Sequence, residues 1–290
     1  MAASVTLGFD ELLSRLELTP EQRARAASSQ EHLRSILDGK FTLDRKPILI
    51  GSYARQTQIR MERDIDLLVV LADDPHWKDY QQRSASLVRD LRKVIKKSYP
   101  KTKLSHDEVA VVMEMDVLNF DVVPAFVSED HFVVPRGDGG WQATNPLHHV
   151  ELMETRNKQD HCLKPLVKLI KSWNKRNDSH FRSLHLEMAV ERIWRGRAIP
   201  DYPGAVAVTL AYVRVLLDSE PFLDPWAKGG PLDGYFGWFG RSAAKDAAWT
   251  DAKTAMRAEG LRLNGREAEA VECWQTVFAK GFPIVESVGS

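Results

Sequence analysis

The sequence predicts an α+β protein, on three observations. Strand-like apolar runs lie before about Trp141, whereas helical periodicity fills almost everything after Pro146. The apolar fraction, 43% with eight Trp, is enough to fill a core. A length of 290 residues suits one large domain or two coupled ones.

The elements follow in order. Phe9 to Leu37 reads as helix, with Leu12, Leu13 and Leu16 starting an apolar stripe and Thr19-Pro20-Glu21 giving a fresh helix start. Pro47–Ile50 reads as a short strand. Gly51-Ser52 is a turn, followed by a polar stretch to Arg63. Asp64–Leu71 (DIDLLVVL) reads as a buried strand. Tyr80–Ser98 is an amphipathic helix with Leu87, Leu91, Val94 and Ile95 inward. Val109–Met115 and Leu118–Phe126 read as a strand hairpin. Six helices follow: Pro146–Asn157, Asp160–Arg176, Ser183–Trp194, Ala205–Leu217, Arg241–Glu259 and Arg266–Phe278. The expected division is therefore 1–150, holding the strands and grouped with the N-terminal helix, and 151–290, all helical. The apolar stripe of that first helix suits packing against either half.

Composition narrows the function. No apolar run approaches the roughly 18 residues of a membrane span, and the N-terminus lacks the basic-then-apolar order of a secretory signal. Cys162 and Cys273 are too few for a disulfide framework or a four-cysteine zinc site. A cytoplasmic location without membrane attachment is expected. Lys+Arg and Asp+Glu are both 40, and this balance argues against a general nucleic-acid coat.

The chemistry concentrates in Gly51-Ser52, eleven residues from Tyr53 to Arg63, and then Asp64-Ile65-Asp66. On a strand, residues i and i+2 share a face, so Asp64 and Asp66 project together while Ile65 and Leu67 face a core. Two carboxylates about 4 Å apart repel by about 4 kcal/mol at an effective dielectric near 20. A divalent cation relieves that cost, and Mg²⁺ suits carboxylates combined with substrate phosphates. Asp121 lies inside a second apolar run, Leu118–Pro124, where a carboxylate contributes nothing to packing. If the two strands are neighbours, Asp121 completes a site for two metal ions. It then acts as base toward an attacking hydroxyl or as a ligand to the metal that acidifies it. Backbone N–H groups at Gly51 and the Ser52 hydroxyl can hold β- and γ-phosphates.

At these residues the chain resembles the polymerase-β-like nucleotidyltransferases, and among them the bacterial CD-NTases. The likeness extends through Asp121-Val-Val-Pro-Ala-Phe126, Trp141–His148, Leu169-Ile-Lys171-Ser-Trp173-Asn174, Ser183-Leu-His-Leu-Glu187 and Glu267–Phe282. It implies a nucleotidyltransferase core of mixed sheet and helices plus a C-terminal helical bundle, bilobed with a central active-site cleft. It also implies an enzyme that joins ATP and/or GTP into a cyclic oligonucleotide signal in anti-phage defence. Two Mg²⁺ ions, with Mn²⁺ as substitute, and a separate effector protein that binds the product belong to the same expectation, as does a monomer. By the resemblance, Asp64, Asp66 and Asp121 match the metal-binding triad, Ser52 the phosphate-contacting serine, and Lys171 and Ser183 the donor-triphosphate residues. Leu184 departs from the tyrosine frequent in relatives, so base stacking from that position is not expected.

Lys164, Lys168 and Lys171 share one helical face, which suits either a phosphate ladder or a solvated basic stripe. Lys168 and Lys171 are the candidates for nucleotide contact. Arg55, Arg60 and Arg63 suit phosphate or solvent equally. The run Tyr235–Phe239 reads as a packed aromatic loop. Lys93, Lys96, Lys97, Lys101 and Lys103 form a basic segment read as solvated. With no zinc-binding insert and no net positive charge, a nucleic-acid activator is not expected. The competing readings are a template-independent transferase acting on an RNA 3′ end, a linear oligoadenylate synthase, and an inactive nucleotide-binding module.

Overall fold

The computed structural model describes residues 2–38, 40–106, 109–115, 118–218, 221–226 and 228–287. In chain order the elements are β1 (Ala2–Ala3), α1 (Val5–Leu16), α2 (Pro20–Asp38), β2 (Ile48–Leu49), α3 (Gly51–Arg55), β3 (Asp64–Val70), α4 (Asp73–Tyr80) and α5 (Ser84–Ser98). Then come β4 (Lys103–His106), β5 (Val111–Glu114), β6 (Asn119–Ser128), β7 (His131–Pro135) and β8 (Trp141–Thr144). The remainder is α6 (Pro146–Asn157), α7 (Leu163–Arg176), α8 (Ser183–Trp194), α9 (Tyr202–Asp218), α10 (Trp238–Leu263), α11 (Glu267–Val277) and β9 (Glu286–Ser287). The expected helix Phe9–Leu37 is thus two helices, broken where Thr19 accepts from Gln22 N–H and Gln22 Oε1 accepts from Thr19 N–H. The expected helix Tyr80–Ser98 starts later, as α5 at Ser84, because Arg83 takes an extended φ of −149°; Tyr80 instead ends the separate helix α4.

The chain forms two units. One comprises Leu18–Arg55 and Glu62–Val150, and the other Met1–Glu17, Gln56–Met61 and Glu151–Ser290. The N-terminal helix α1 therefore packs in the helical unit.

The first unit is built on a seven-stranded mixed sheet of order β2-β3-β6-β5-β4, with β7 joined to β6 and β8 to β7. β3 and β6 run parallel; the other pairs are antiparallel. Alternation along β3 separates two faces. Ile65, Leu67 and Val69 meet Phe120, Val122 and Phe126, and the apolar stripe of α5 (Leu87, Leu91, Ile95) covers them together with Leu33 and Leu37 of α2. Burying each such side chain is worth about 1.5–3 kcal/mol. The opposite face carries Leu68, Val70 and Ala125 at one end, packed with Phe132 and Val134. At its other end that face carries carboxylates.

The helical unit packs α9 against α10 through a stripe of small residues, Ala244, Ala248, Ala252, Ala255 and Ala258, each fully buried. Phe9 of α1 meets Trp274 edge-on with centroids 4.9 Å apart and Phe282 at 5.0 Å. Such aromatic pairs add about 0.5–1.5 kcal/mol beyond area burial. The two chain ends meet here: β1 pairs antiparallel with β9, and Val5 N–H donates to Glu267 Oε2 at 2.8 Å. Of the run Tyr235–Phe239, Tyr235 and Phe236 pack around His185, whereas Trp238 and Phe239 are exposed at the start of α10. Among the described residues no helix is long and apolar enough to cross a membrane.

Candidate active site

Strand register brings the carboxylates together. In the parallel pair of β3 with β6, Asp66 lies opposite Asp121 and Asp64 opposite Asn119. Neighbouring strands are about 4.8 Å apart, and paired residues on parallel strands point to the same face. Asp64 and Asp66 share that face by their i, i+2 spacing, so one end of it presents three carboxylates. Ile65 and Phe120, on the reverse face, are 1% exposed, whereas Asp64 is exposed and Asp66 and Asp121 half-buried. Apolar burial on one side thus holds the acids at the solvent side of the other. Asn119 Nδ2 donates to Asp64 Oδ1 at 3.1 Å, fixing that carboxylate from the adjacent strand.

Gly51 is part of the same construction. It opens α3 at φ +66°, in the left-handed region that favours glycine. A β-carbon there would lie 1.7 Å from Asp66 Oδ2, so the turn and the carboxylate fit only because the side chain is hydrogen. Ile50 N–H donates to Asp66 O at 3.0 Å, continuing the β2–β3 pairing up to the turn. Ser52 follows inside α3, half-buried. Gly51, Ser52, Asp64, Asp66 and Asp121 are therefore all in the sheet unit and gathered at one end of β3. This donor set of three hard carboxylate oxygens on one accessible face suits Mg²⁺ or Mn²⁺.

The lysines and Ser183 belong to the helical unit. Lys164, Lys168 and Lys171 do share a side of α7, and each meets a carboxylate there. Lys164 pairs with Glu154 and also reaches Gln56 Oε1 at 3.2 Å. Lys168 pairs with Glu17. Lys171, 1% exposed, donates to Thr57 O at 3.1 Å and Glu187 Oε1 at 3.3 Å. Ser183 starts α8, half-buried, and Leu184 beside it packs on the helical core. The arginines between the turn and β3 are engaged by the protein. Arg55 is buried, Arg60 Nε donates to Glu17 O at 2.9 Å, and Arg63 Nη2 to Met115 O at 2.9 Å.

Sequence reasoning did not single out Glu187, Glu191 or Thr57, all 0% exposed. Their partners lie far away in the chain, as with Thr57 Oγ1 donating to Glu187 Oε2 at 2.7 Å across 130 positions. The one available signal was two glutamates, i and i+4, on an otherwise apolar helix. His185 next to them is held at the ring edges of Phe181, Tyr235 and Phe236. Burial pushes its imidazole down to about 4, with Asp233 opposing and Arg241 assisting. Its Nδ1 lies 3.0 Å from Tyr235 Oη. A further acidic group, Glu129-Asp130-His131, has ligand atoms within 4.8 Å of one another. Glu129 and Asp130 form the β6–β7 turn and His131 begins β7; Glu129 is eight positions along from Asp121, a span of ~26 Å at ~3.3 Å per residue.

Residues 3–157, just over half of the chain, match the family described as Second Messenger Oligonucleotide or Dinucleotide Synthetase domain. The chain belongs to this family. The match includes Gly51, Ser52 and all three aspartates. A curated relative, a probable cyclic nucleotide synthase of Bacillus cereus (strain VD146), is 23% identical over 98% of this chain and 99% of its own length. Among solved structures, Escherichia coli MS115-1 CdnC with ATP gives a TM-score of 0.78 at 19% identity, covering 96% of this chain and 98% of that one. Vibrio cholerae DncV, a cyclic AMP-GMP synthase, gives 0.73 at 12% identity, covering 97% and 98%. The chain is thus a CD-NTase, with the polymerase-β-like fold and a nucleotidyltransferase activity of the cyclic nucleotide synthase kind.

Proposed function

We propose that this CD-NTase joins ATP and/or GTP into a cyclic oligonucleotide by two-metal catalysis at Asp64, Asp66 and Asp121. One observation supports the reading above all: Asp66 and Asp121 stand opposite in a parallel pair, with Asp64 two residues away and Gly51 pressed against Asp66. In the proposed reaction a ribose 2′- or 3′-hydroxyl oxygen attacks the α-phosphorus of a second nucleotide. A new P–O bond forms, the bond to the β-phosphate oxygen breaks, and pyrophosphate leaves. The hydroxyl proton passes to the Asp121 carboxylate, half-buried on its strand and opposite a second acid, where a proton relieves like-charge repulsion. Asp64 and Asp66 would hold Mg²⁺ or Mn²⁺, and Asp121, where it does not take the proton, would be the third ligand. When bound, these ions neutralise charge on the transferring phosphate and lower the pKa of the hydroxyl. The Gly51–Ser52 turn presents backbone N–H groups and the Ser52 hydroxyl to the β- and γ-phosphates.

The donor triphosphate is assigned to Lys171 and Ser183 through their correspondence to the family's donor helices, and to Lys168 through its place on the same face of α7 as Lys171. For Lys171 this requires its ammonium to face phosphate while its Nζ lies 3.3 Å from Glu187 Oε1. The reaction is placed in the cytoplasm, in anti-phage defence, by a monomer whose product is read by a separate effector protein. No nucleic-acid activator is needed. The CdnC relative was solved as a complex with HORMA-deltaN; for this chain a protein partner at the enzyme itself is a second assembly to look for.

The test is incubation of purified protein with labelled ATP and GTP and Mg²⁺, with and without an RNA acceptor. Small products resistant to phosphatase are expected, identified by mass spectrometry. Elongated RNA, or linear oligomers that phosphatase shortens, would replace this reading with RNA-end transfer or linear synthesis.

A further inference from the structure

The chain leaves the sheet unit after Arg55, gives Gln56–Met61 to the helical unit, and returns at Glu62. This excursion falls inside the reactive motif: Thr57 is five residues after Ser52 and seven before Asp64. The helical unit grips the excursion tightly. Thr57 Oγ1 donates to Glu187 Oε2 at 2.7 Å, Lys171 Nζ donates to Thr57 O at 3.1 Å, and Lys171 Nζ meets Glu187 Oε1 at 3.3 Å. These three contacts close a ring whose members are 0% (Thr57), 0% (Glu187) and 1% (Lys171) exposed. Ile59 is fully buried in the helical core, and Arg60 N–H donates to Leu16 O at 2.8 Å.

We infer that Glu187 is a positioning residue: by holding both the Thr57 hydroxyl and Lys171, it fixes the segment that sets Ser52 and Asp64 relative to each other. A carboxylate with nothing to position would be costly here, since desolvating a charge is unfavourable unless every oxygen is engaged. Glu187 Oε2 accepts from the Thr57 hydroxyl, and Glu187 Oε1 accepts from Lys171, which itself donates to Thr57 O. Eight residues, Gln56–Arg63, run between α3 and β3. The clamp holds Thr57, the second of them, and so leaves Gln58–Arg63 as the span to Asp64. The inference rests on the proposed reaction at Asp64, Asp66 and Asp121 and adds a residue that does not touch substrate.

The experiment compares Thr57→Val, Thr57→Ser and Glu187→Gln with wild type. It reads amide hydrogen exchange over residues 58–66, melting temperature, and kcat and KM for ATP and GTP well below melting. Thr57→Val is nearly isosteric and stays folded where Glu187→Gln does not. The expected result is at least tenfold faster exchange over 58–66 in Thr57→Val. It is accompanied by a kcat at least fivefold lower, KM values changed less than twofold, and restoration of both by Thr57→Ser. Unchanged exchange in folded Thr57→Val overturns the inference, as does faster exchange with unchanged kcat, or a Thr57→Ser that behaves like Val. A wild type that makes no product from ATP or GTP refutes the proposed reaction instead, while the exchange arm still decides whether the clamp holds the segment.

Discussion

Asp66 has Asp121 on one side and Gly51 on the other, and each neighbour gives it a different vulnerability. Asp66→Asn removes a metal ligand and a like charge together. Synthesis is expected to fall by well over tenfold, a barrier rise above roughly 1.4 kcal/mol. Melting without metal should hold or rise, because repulsion between half-buried carboxylates is relieved. Product assays beside metal-free thermal melts check both halves, and a variant retaining a tenth of wild-type activity would remove Asp66 from the ligand set. Gly51→Ala acts through geometry. The new methyl meets Asp66 Oδ2 at 1.7 Å and the backbone sits at φ +66°. The backbone strain costs on the order of 1–3 kcal/mol. The carboxylate has to rotate away as well, so direct Mn²⁺ titration should show weakened binding and synthesis should drop at least tenfold. Much of this corner was legible in the sequence, because i, i+2 spacing is set by the pleat and needs no tertiary information. The contact of Gly51 with Asp66 was not legible, since it depends on how the β2–β3 pair ends.

Helices α7 and α8 carry the clearest contrast between pattern and partner. The spacing of Lys164, Lys168 and Lys171 correctly put them on one side of a helix, but a repeat of cations does not say what they face. Here each faces a glutamate from a different element: Glu154 of α6, Glu17 after α1 and Glu187 of α8. Lys171→Ala removes the cation from a buried ion pair with Glu187, so a loss of about 3–5 kcal/mol in stability is expected. Lys168→Ala should cost no more than about 1 kcal/mol, since Glu17 is 47% exposed and screened. Calorimetry at neutral pH separates the two. If Lys171 also meets donor phosphate, its loss removes a contact worth about 1.5–3 kcal/mol. KM for ATP and GTP should then rise about ten- to a hundredfold, and by much less for Lys164→Ala. Equal small changes in KM would leave all three lysines structural. His185 on α8 gives the pH dependence. Its imidazole titrates near 4 when folded and near 6.5 when unfolded. The folded state therefore binds fewer protons, and stability is full above about pH 6.5 and declines as pH falls toward 4. By pH 5 the loss is about 2 kcal/mol. Melting at pH 7 and pH 5 should show a smaller drop for His185→Gln than for wild type. Elsewhere at this scale, α6 and α8 match their expected bounds because each has a full helical period and a clear start. Strands β4, β7 and β8, four or five residues long, were not anticipated.

For the whole molecule, the balanced charge and the fate of the one basic segment argue in the same direction. Lys93 pairs with Asp90 at 2.8 Å, Lys103 with Glu114 at 2.7 Å, and Lys96 Nζ donates to Thr102 O at 2.9 Å. A surface that binds duplex needs several cations available to phosphate, and binding through them falls steeply with salt. Nuclease-treated, anion-exchanged protein is therefore expected to synthesise at the same rate with or without added double-stranded DNA or RNA. A tenfold stimulation that vanishes when these lysines become Glu would make the protein a nucleic-acid sensor. Strand-like runs stop near Trp141 in the sequence, and the chain passes from one unit to the other at Val150 and Glu151. That the helical unit also takes its first seventeen residues and Gln56–Met61 was not readable, because an amphipathic stripe names no partner. This interleaving has a consequence for biosynthesis. Trp274 and Phe282, the rings that cover Phe9, emerge from the ribosome more than 260 residues after it. At ~5–20 residues per second the delay is roughly ten to fifty seconds. During that interval β3 can already pair with β6, while Thr57 still waits for Lys171 and Glu187 to be made. The nascent chain can thus pair its carboxylate strands before Lys171 and Glu187, the partners of Thr57, have been made.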